Sequence, residues 1–211
     1  LRLSRGLGDV YKRQGYARAS GKPAICMAQV IGALNIAAGL RDAFLAHSPV
    51  IAITGGREPK TKFKKVYQEV DDMPAFEPVT KLNATIDDVS RIPDMIDQAF
   101  RVSTSGSPGP AHLQLRGNEA QIDLEEFEFE SNFRISDTQI PPHRPICNDT
   151  ILNKALGTIQ SAKRPIIVAG GGAKHSKCSQ ELIEFAEKLN IPVATSLNGK
   201  DLIHSTHPLS C

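Results

Sequence analysis

Three stretches of this chain carry residue types and spacings that suit chemistry. Gly170-Gly171-Gly172 follows an apolar run and precedes a helix-like segment. A turn so placed lets a diphosphate approach backbone N–H groups at a helix N-terminus. The spacing is not G-x-G-x-x-G, and the alternative is a tight strand–helix turn that needs glycine for positive φ; both readings stand. Gly55 to Lys65 is a basic loop after a second apolar run, running on into Tyr67-Gln68-Glu69-Val70-Asp71-Asp72. Loops at the carboxyl ends of parallel strands are where ligands bind in α/β sheets; a solvated lysine face is the alternative. His47, His112, His143, His175, His204 and His207 are dispersed, form no Ser–His–Asp order, and read as structural or solvated. Cys26, Cys147, Cys178 and Cys211 form no C-x-x-C pair and have no histidine at ligand spacing, so no metal site is expected. Scattered thiols suit a reducing cytoplasm.

These stretches need elements to position them. Pro23 to Gln29 reads as a buried strand, 33–47 as a helix, 49–54 as a second strand, and 79–85 as a third. Pro93 suits the first turn of another helix, and Ala111 to Leu115 forms a further strand after the Gly106–Pro110 turn. Apolar strands without polar alternation, interleaved with helices, predict a parallel sheet covered on both faces. The composition then shifts to glutamate and proline across 118–147, read as an interdomain linker. From Asn148 a second unit repeats the rhythm. A helix carries Ile151, Leu152, Ala155, Leu156 and Ile159, capped by Asn148 or Asp149; a strand covers 165–169. A helix capped by Ser176 or Ser179 and a strand over 191–195 follow. The expected fold class is α/β, with two consecutive parallel-sheet domains and flanking helices, 15–117 and 148–211. The second is truncated, since two strands are too few to bury its helices.

Composition removes several function classes. Hydrophobic residues make up 40% and charged residues 23% of the 211, as in ordinary globular proteins. Ser4 to Gln14 is similar to the translation of a sequencing-library transposon adapter, so 1–14 is read as adapter-derived and not expected to pack. With Arg2, Arg5, Lys12 and Arg13 against Asp9, that segment carries +3 of the chain's net +2 and leaves the remainder at −1. No nucleic-acid or anionic-membrane partner follows from that balance. Pro23 to Leu40 has no charge, but Gln29, Gly32, Asn35 and Gly39 within it argue against a membrane span.

Several motifs, in order, resemble those of thiamine-diphosphate enzymes of the acetolactate synthase type. They are Gly15-Tyr16-Ala17-Arg18-Ala19-Ser20-Gly21-Lys22, Gly39 to Ala43, Ser48 to Gly55, Tyr67-Gln68-Glu69, Pro78 to Asn83 and Gly106 to Leu113. In the second unit, Ala162 to Gly172 and His207 to Ser210 are similar to the family's central domain, which is Rossmann-like. The matches span nearly all of 15–211. They are specific to the superfamily and much less so to one reaction. One loop departs: the family's Gly-Pro-Gly followed shortly by Asn is here Val30-Ile31-Gly32-Ala33-Leu34-Asn35, without the proline.

The resemblance implies the back part of a pyrimidine-binding domain joined to the front part of a central domain. It implies decarboxylation or carboligation of a 2-oxo acid with thiamine diphosphate and Mg2+, the metal held by a third domain, in a homodimer or homotetramer. The family's activating glutamate lies shortly upstream of Gly15. Gln68 matches the family's active-site glutamine, Gly32 and Asn35 the loop beside the pyrimidine ring, and Lys81 a lysine near the substrate entrance. Gly170, Gly171 and Gly172 match a loop that touches FAD or another nucleotide in members that bind one. A non-catalytic nucleotide-binding α/β module or an NAD-type dehydrogenase is the alternative function.

Overall fold

A computed structural model describes residues 7–117 and 134–211. It is an α/β structure of two units, Leu1–Pro142 and His143–Cys211.

The first unit starts with helix α1 (Leu7–Ser20). Strand β1 (Ala24–Ala28), helix α2 (Ala33–Leu45) and strand β2 (Val50–Gly55) follow. A 17-residue loop, 56–72, leads to the single turn α3 (Met73–Phe76). Strand β3 (Leu82–Ile86), helix α4 (Ile92–Thr104) and strand β4 (Ala111–Leu115) complete the unit. All pairings are parallel, in the order β1-β2-β4-β3. β2 is central and apolar, and its alternate side chains feed opposite layers. Val50 and Ala52 join Val10, Ile36, Leu40 and Phe76 on one face; Ile51 joins Ile86, Ala99 and Leu113 on the other. Burying each large side chain contributes roughly 1.5–3 kcal/mol, which is why the sheet takes helices on both faces.

Two expectations are corrected in this unit. Residues 7–14 do not stand apart from the packed structure. They form most of α1, and Val10, Gln14 and Ala17 lie on one helical face at buried positions. Val10 is fully buried against Gly39, where a Cβ would come within 2.9 Å of it. Arg13 Nε donates to the Ile25 carbonyl at 2.9 Å, and Gln14 Nε2 to Asp42 at 2.5 Å. The third strand begins at Leu82 rather than 79, because Glu77–Val79 forms a tight helical turn that continues α3.

Of the expected linker, 118–133 lies outside the described residues. Its later part, 134–142, packs on the first unit: Thr104 Oγ1 donates to the Asp137 carbonyl at 3.0 Å, and Asp137 and Ile140 are buried.

In the second unit, helix α5 (Asp149–Ser161) starts where Asn148 Oδ1 accepts the Thr150 N–H at 2.8 Å, the cap its sequence predicts. Strand β5 (Ile167–Ala169) leads through Gly170 into the short α6 (Gly171–His175). Helix α7 (Ser179–Leu189) and strand β6 (Val193–Thr195) follow, β6 parallel to β5. Ala169, Ala186, Val193, Leu202 and Ile203 form the core. Neither Ser176 nor Ser179 caps α7; Cys178 holds that position, without a side-chain capping bond. α5 buries no residue, and Ile151 and Leu152 on its apolar face are 63% and 45% exposed. No helix among the described residues is long and apolar enough to cross a membrane.

Candidate functional site

The carboxyl ends of β1 and β2 open into a cleft of about 60 Å3. Val30 lines it from the turn after β1; Gly56, Arg57, Glu58, Thr61, Val66, Tyr67, Gln68 and Glu69 line it from the loop after β2. The basic loop and the Tyr67-Gln68-Glu69 motif therefore meet in one place, at the end of the sheet where the topology brings strand ends together.

Gln68 is half-buried on the cleft wall, with φ at +66°. No described residue makes a hydrogen bond to its side-chain amide. An unbonded amide beside a cleft offers two donors and one acceptor to whatever enters. Glu69 is already engaged: its carboxylate accepts the Phe63 and Val66 N–H groups at 2.6 and 3.2 Å. Arg57, 18% exposed, pairs with Asp71 at 3.1 Å.

Beneath the cleft lies a polar layer. Gln114 Nε2 donates to Asp72 Oδ1 at 2.7 Å, and both residues are buried. Burial pushes the Asp72 carboxyl up from its ordinary pKa, and the Gln114 donor partly offsets this. Gly56 has to be glycine here, since a Cβ would meet the Gln114 side chain at 2.5 Å. Next to it, His112 stacks on Phe76 with ring centroids 3.5 Å apart. Its Nε2 lies 2.8 Å from Thr54 Oγ1 and its Nδ1 2.7 Å from Asn83 Oδ1. Asn83 Nδ2 donates to the Met73 carbonyl, so Oδ1 is the acceptor and His112 carries its proton on Nδ1. Burial lowers the His112 pKa to about 3, so the ring is neutral and structural. The sequence reading missed Gln114 and Asp72 as a pair. The signal available was a polar residue at every second position of an otherwise apolar strand, Ala111-His112-Leu113-Gln114-Leu115.

The other expected site residues are placed differently. Gly32 shares the short turn of Val30 and Asn35 lies in the first turn of α2; neither lines the cleft. Gly32 is held by packing, because a Cβ would sit 2.9 Å from the Ala28 Cβ; Asn35 is exposed on the first turn of α2. Lys81, expected near the substrate entrance, lies away from this cleft. It precedes β3 at the amino end of the sheet, opposite the cleft, and its Nζ donates to the carbonyls of Val102, Ser105 and Ser107 at 2.6–2.8 Å. A lysine at the end of α4 satisfies carbonyls that the helix leaves unpaired. Lys81→Met keeps the stem over Gly109 and removes the three donors. It is expected to lower the stability of the chain by roughly 1–2 kcal/mol in denaturant unfolding. An unchanged midpoint would show the ammonium to be free.

In the second unit, Gly170 has φ at −114°, and none of Gly170, Gly171 and Gly172 takes positive φ. The turn therefore does not need glycine for a left-handed backbone. Close approach is the constraint: a Cβ on Gly199 would meet the Ala169 carbonyl oxygen at 2.7 Å, and one on Gly171 the Asn198 Cβ at 3.1 Å. The loops after β5 and β6 thus press together at the carboxyl ends of both strands.

Residues 10–75 match the family model described as the N-terminal TPP binding domain of thiamine pyrophosphate enzymes, and 152–211 match the central domain of the same enzymes. The chain belongs to the thiamine pyrophosphate enzyme family. A Methanococcus aeolicus protein named "Probable acetolactate synthase large subunit" is 38% identical over 202 residues, covering 93% of this chain and 33% of that protein. The chloroplastic acetolactate synthase of Arabidopsis thaliana is 36% identical over 193 residues, 91% of this chain and 28% of that protein. The chain spans about a third of the length of the curated relatives it matches. A solved Mycobacterium smegmatis structure assigned to the thiamin diphosphate-dependent enzymes matches with a TM-score of 0.76 at 23% identity. The match covers 97% of this chain and 39% of that one, and it shows the shared fold.

The residues present fit thiamine diphosphate in part. The cleft offers a free amide and the apolar Val30, which fit one edge of the group. They do not fit its diphosphate, since the one arginine of the cleft wall is paired with Asp71. No group of three or more His, Cys, Asp or Glu side chains that could hold a metal ion occurs among the described residues.

Proposed function

We propose that this chain is part of an acetolactate synthase-like enzyme acting on a 2-oxo acid, with Gln68 facing the substrate. The observation that carries the reading is Gln68: an unbonded amide, held on a cleft at the strand ends, in the domain matched as TPP-binding. When bound, thiamine diphosphate supplies the carbon nucleophile and the electron sink that a 2-oxo acid needs to lose carbon dioxide.

This chain's own residues then have defined tasks. The Gln68 amide donates to an oxygen of the bound oxo acid and fixes its orientation without adding charge. Val30 supplies an apolar wall that limits water at that edge. Asp72 and Gln114, bonded to one another, hold the floor on which the loop rests. Gly32, in the turn of Val30, and Asn35, at the start of α2, flank the pyrimidine-binding edge in this reading. Mg2+ and the diphosphate are held by a third domain in this reading. Gly170, Gly171 and Gly172 are proposed to border FAD or another nucleotide, supported by two strand-end loops meeting there. A homodimer or homotetramer acting in the cytoplasm, with no nucleic-acid or membrane partner, completes the reading. The four unpaired cysteines support a reducing compartment.

The test is an assay of the full-length protein carrying this sequence. Carbon dioxide release from pyruvate or a longer 2-oxo acid should require added thiamine diphosphate and Mg2+. Carboligation should yield a 2-hydroxy-3-oxo acid. No turnover of any 2-oxo acid, with hydride transfer to a nicotinamide cofactor instead, would favour the dehydrogenase alternative.

A further inference from the structure

The loop between β2 and α3 holds three non-glycine residues in the left-handed region: Phe63 at φ +69°, Lys65 at +53° and Gln68 at +66°. Such residues persist only where the surroundings over-determine them. Val66 to Glu69 forms a reverse turn closed by the Glu69 N–H on the Val66 carbonyl at 3.0 Å. Gln68 occupies the third position of that turn, where positive φ favours glycine or asparagine. Glycine would satisfy the backbone better but has no side chain to present to the cleft.

The neighbouring carboxylate ties this backbone at two amides. Glu69 Oε1 accepts the Phe63 N–H at 2.6 Å, and Oε2 accepts the Val66 N–H at 3.2 Å. One side chain thereby fastens the loop at two points three residues apart, with charge-assisted bonds. Other ties act on the same loop, among them the Arg57 guanidinium and the Lys62 ammonium over the Phe63 ring at 5.8 and 5.3 Å. The Lys64 N–H reaches the Thr61 carbonyl at 2.9 Å, and Arg57 pairs with Asp71 on the far side of the turn.

We propose that Glu69 is the positioning residue that holds Gln68 in the cleft, by clasping the backbone amides of Phe63 and Val66. Glu69 acts through Gln68 and does not itself touch substrate. The inference rests on the reading of Gln68 as substrate-facing, and two readouts separate them.

The first readout is amide hydrogen exchange in the 211-residue chain. Glu69→Ala should speed exchange at Phe63 and Val66 by about tenfold or more, the size expected for losing a charge-assisted bond, while β2 and β4 stay protected. Glu69→Gln keeps a carbonyl acceptor and should fall between. Unchanged exchange at both amides overturns the clasp, whatever turnover does. The second readout is steady-state kinetics of the full-length enzyme. Glu69→Ala should lower kcat with a smaller change in KM, and should add nothing when Gln68→Ala is already present. Independent, additive losses would overturn action through Gln68. Full turnover by Gln68→Ala, together with fast exchange in Glu69→Ala, would overturn the substrate reading and leave the clasp standing. Gln68→Gly supplies a third arm. It should raise the unfolding midpoint of the chain and abolish the gain in turnover that the amide provides. A lower midpoint would show that the left-handed backbone carries no strain.

Discussion

Gln68→Ala in the full-length enzyme is expected to lower turnover by about 100–1,000-fold, corresponding to ~2.7–4 kcal/mol for removing one donor aimed at developing oxyanion charge. The physical reason is the state of the amide. It is unbonded, half-buried and held by a turn that disfavours its own residue type. A donor fixed in advance needs no reorganisation as charge builds on the substrate oxygen. Alanine adopts the same backbone at similar cost, so the loop keeps its shape and the loss is that of the amide alone. Cofactor affinity should change little, because in the proposed reading a third domain holds the diphosphate. Lys65→Ala provides the internal comparison. Lys65 lies in the same loop, also at positive φ, but its side chain is exposed and does not line the cleft. Steady-state assays of both variants under saturating cofactor make the measurement. Equal and small losses would remove Gln68 from the site.

Acidification from pH 7 to pH 4 is expected to destabilise the first unit by on the order of 3 kcal/mol through His112. In the folded chain the ring titrates at about 3; in the unfolded chain it titrates at its ordinary 6.5. Between those values the unfolded state binds a proton that the folded state refuses. The contribution of His112 is therefore fully present above the unfolded value and is lost as the pH falls towards the folded one. Other groups act less. Asp72 has the opposite sign: its raised carboxyl takes up a proton in the folded state first and offsets part of the loss. The carboxyls of Asp88, Asp94 and Asp201 are held low by bonds from Ser90, Arg91 and Lys174 respectively, but all three are exposed and screened. Denaturant unfolding of wild type and His112→Gln at both pH values would isolate the effect. The variant should be less stable at pH 7, having lost the stack on Phe76 and a hydrogen bond, and should show a flatter pH dependence. A slope unaltered by the substitution would place the acid sensitivity in another group.

The order and type of the elements follow from local pattern. Apolar runs at 23–29, 49–54 and 111–115 became β1, β2 and β4 within a residue or two at either end, because buried parallel strands leave few other uses for uninterrupted apolar residues. The helix starting at Asn148 was legible because its cap is a local interaction between residues two apart. The motif at Tyr67-Gln68-Glu69 was legible as a resemblance, and the turn after β2 as a place for ligands. What pattern could not reach was whatever depends on distant residues meeting. That Val10 inserts against Gly39 was hidden, because a segment read for its origin carries no sign of what it packs on. That Lys81 turns to the end of α4 was hidden, because its three acceptors lie more than twenty residues away. Gln114, Asp72 and Gly56 became one layer only when β2 and β4 paired. A contact across a sheet is set by register and crossover, and neither is written in the local spacing of the residues that make it.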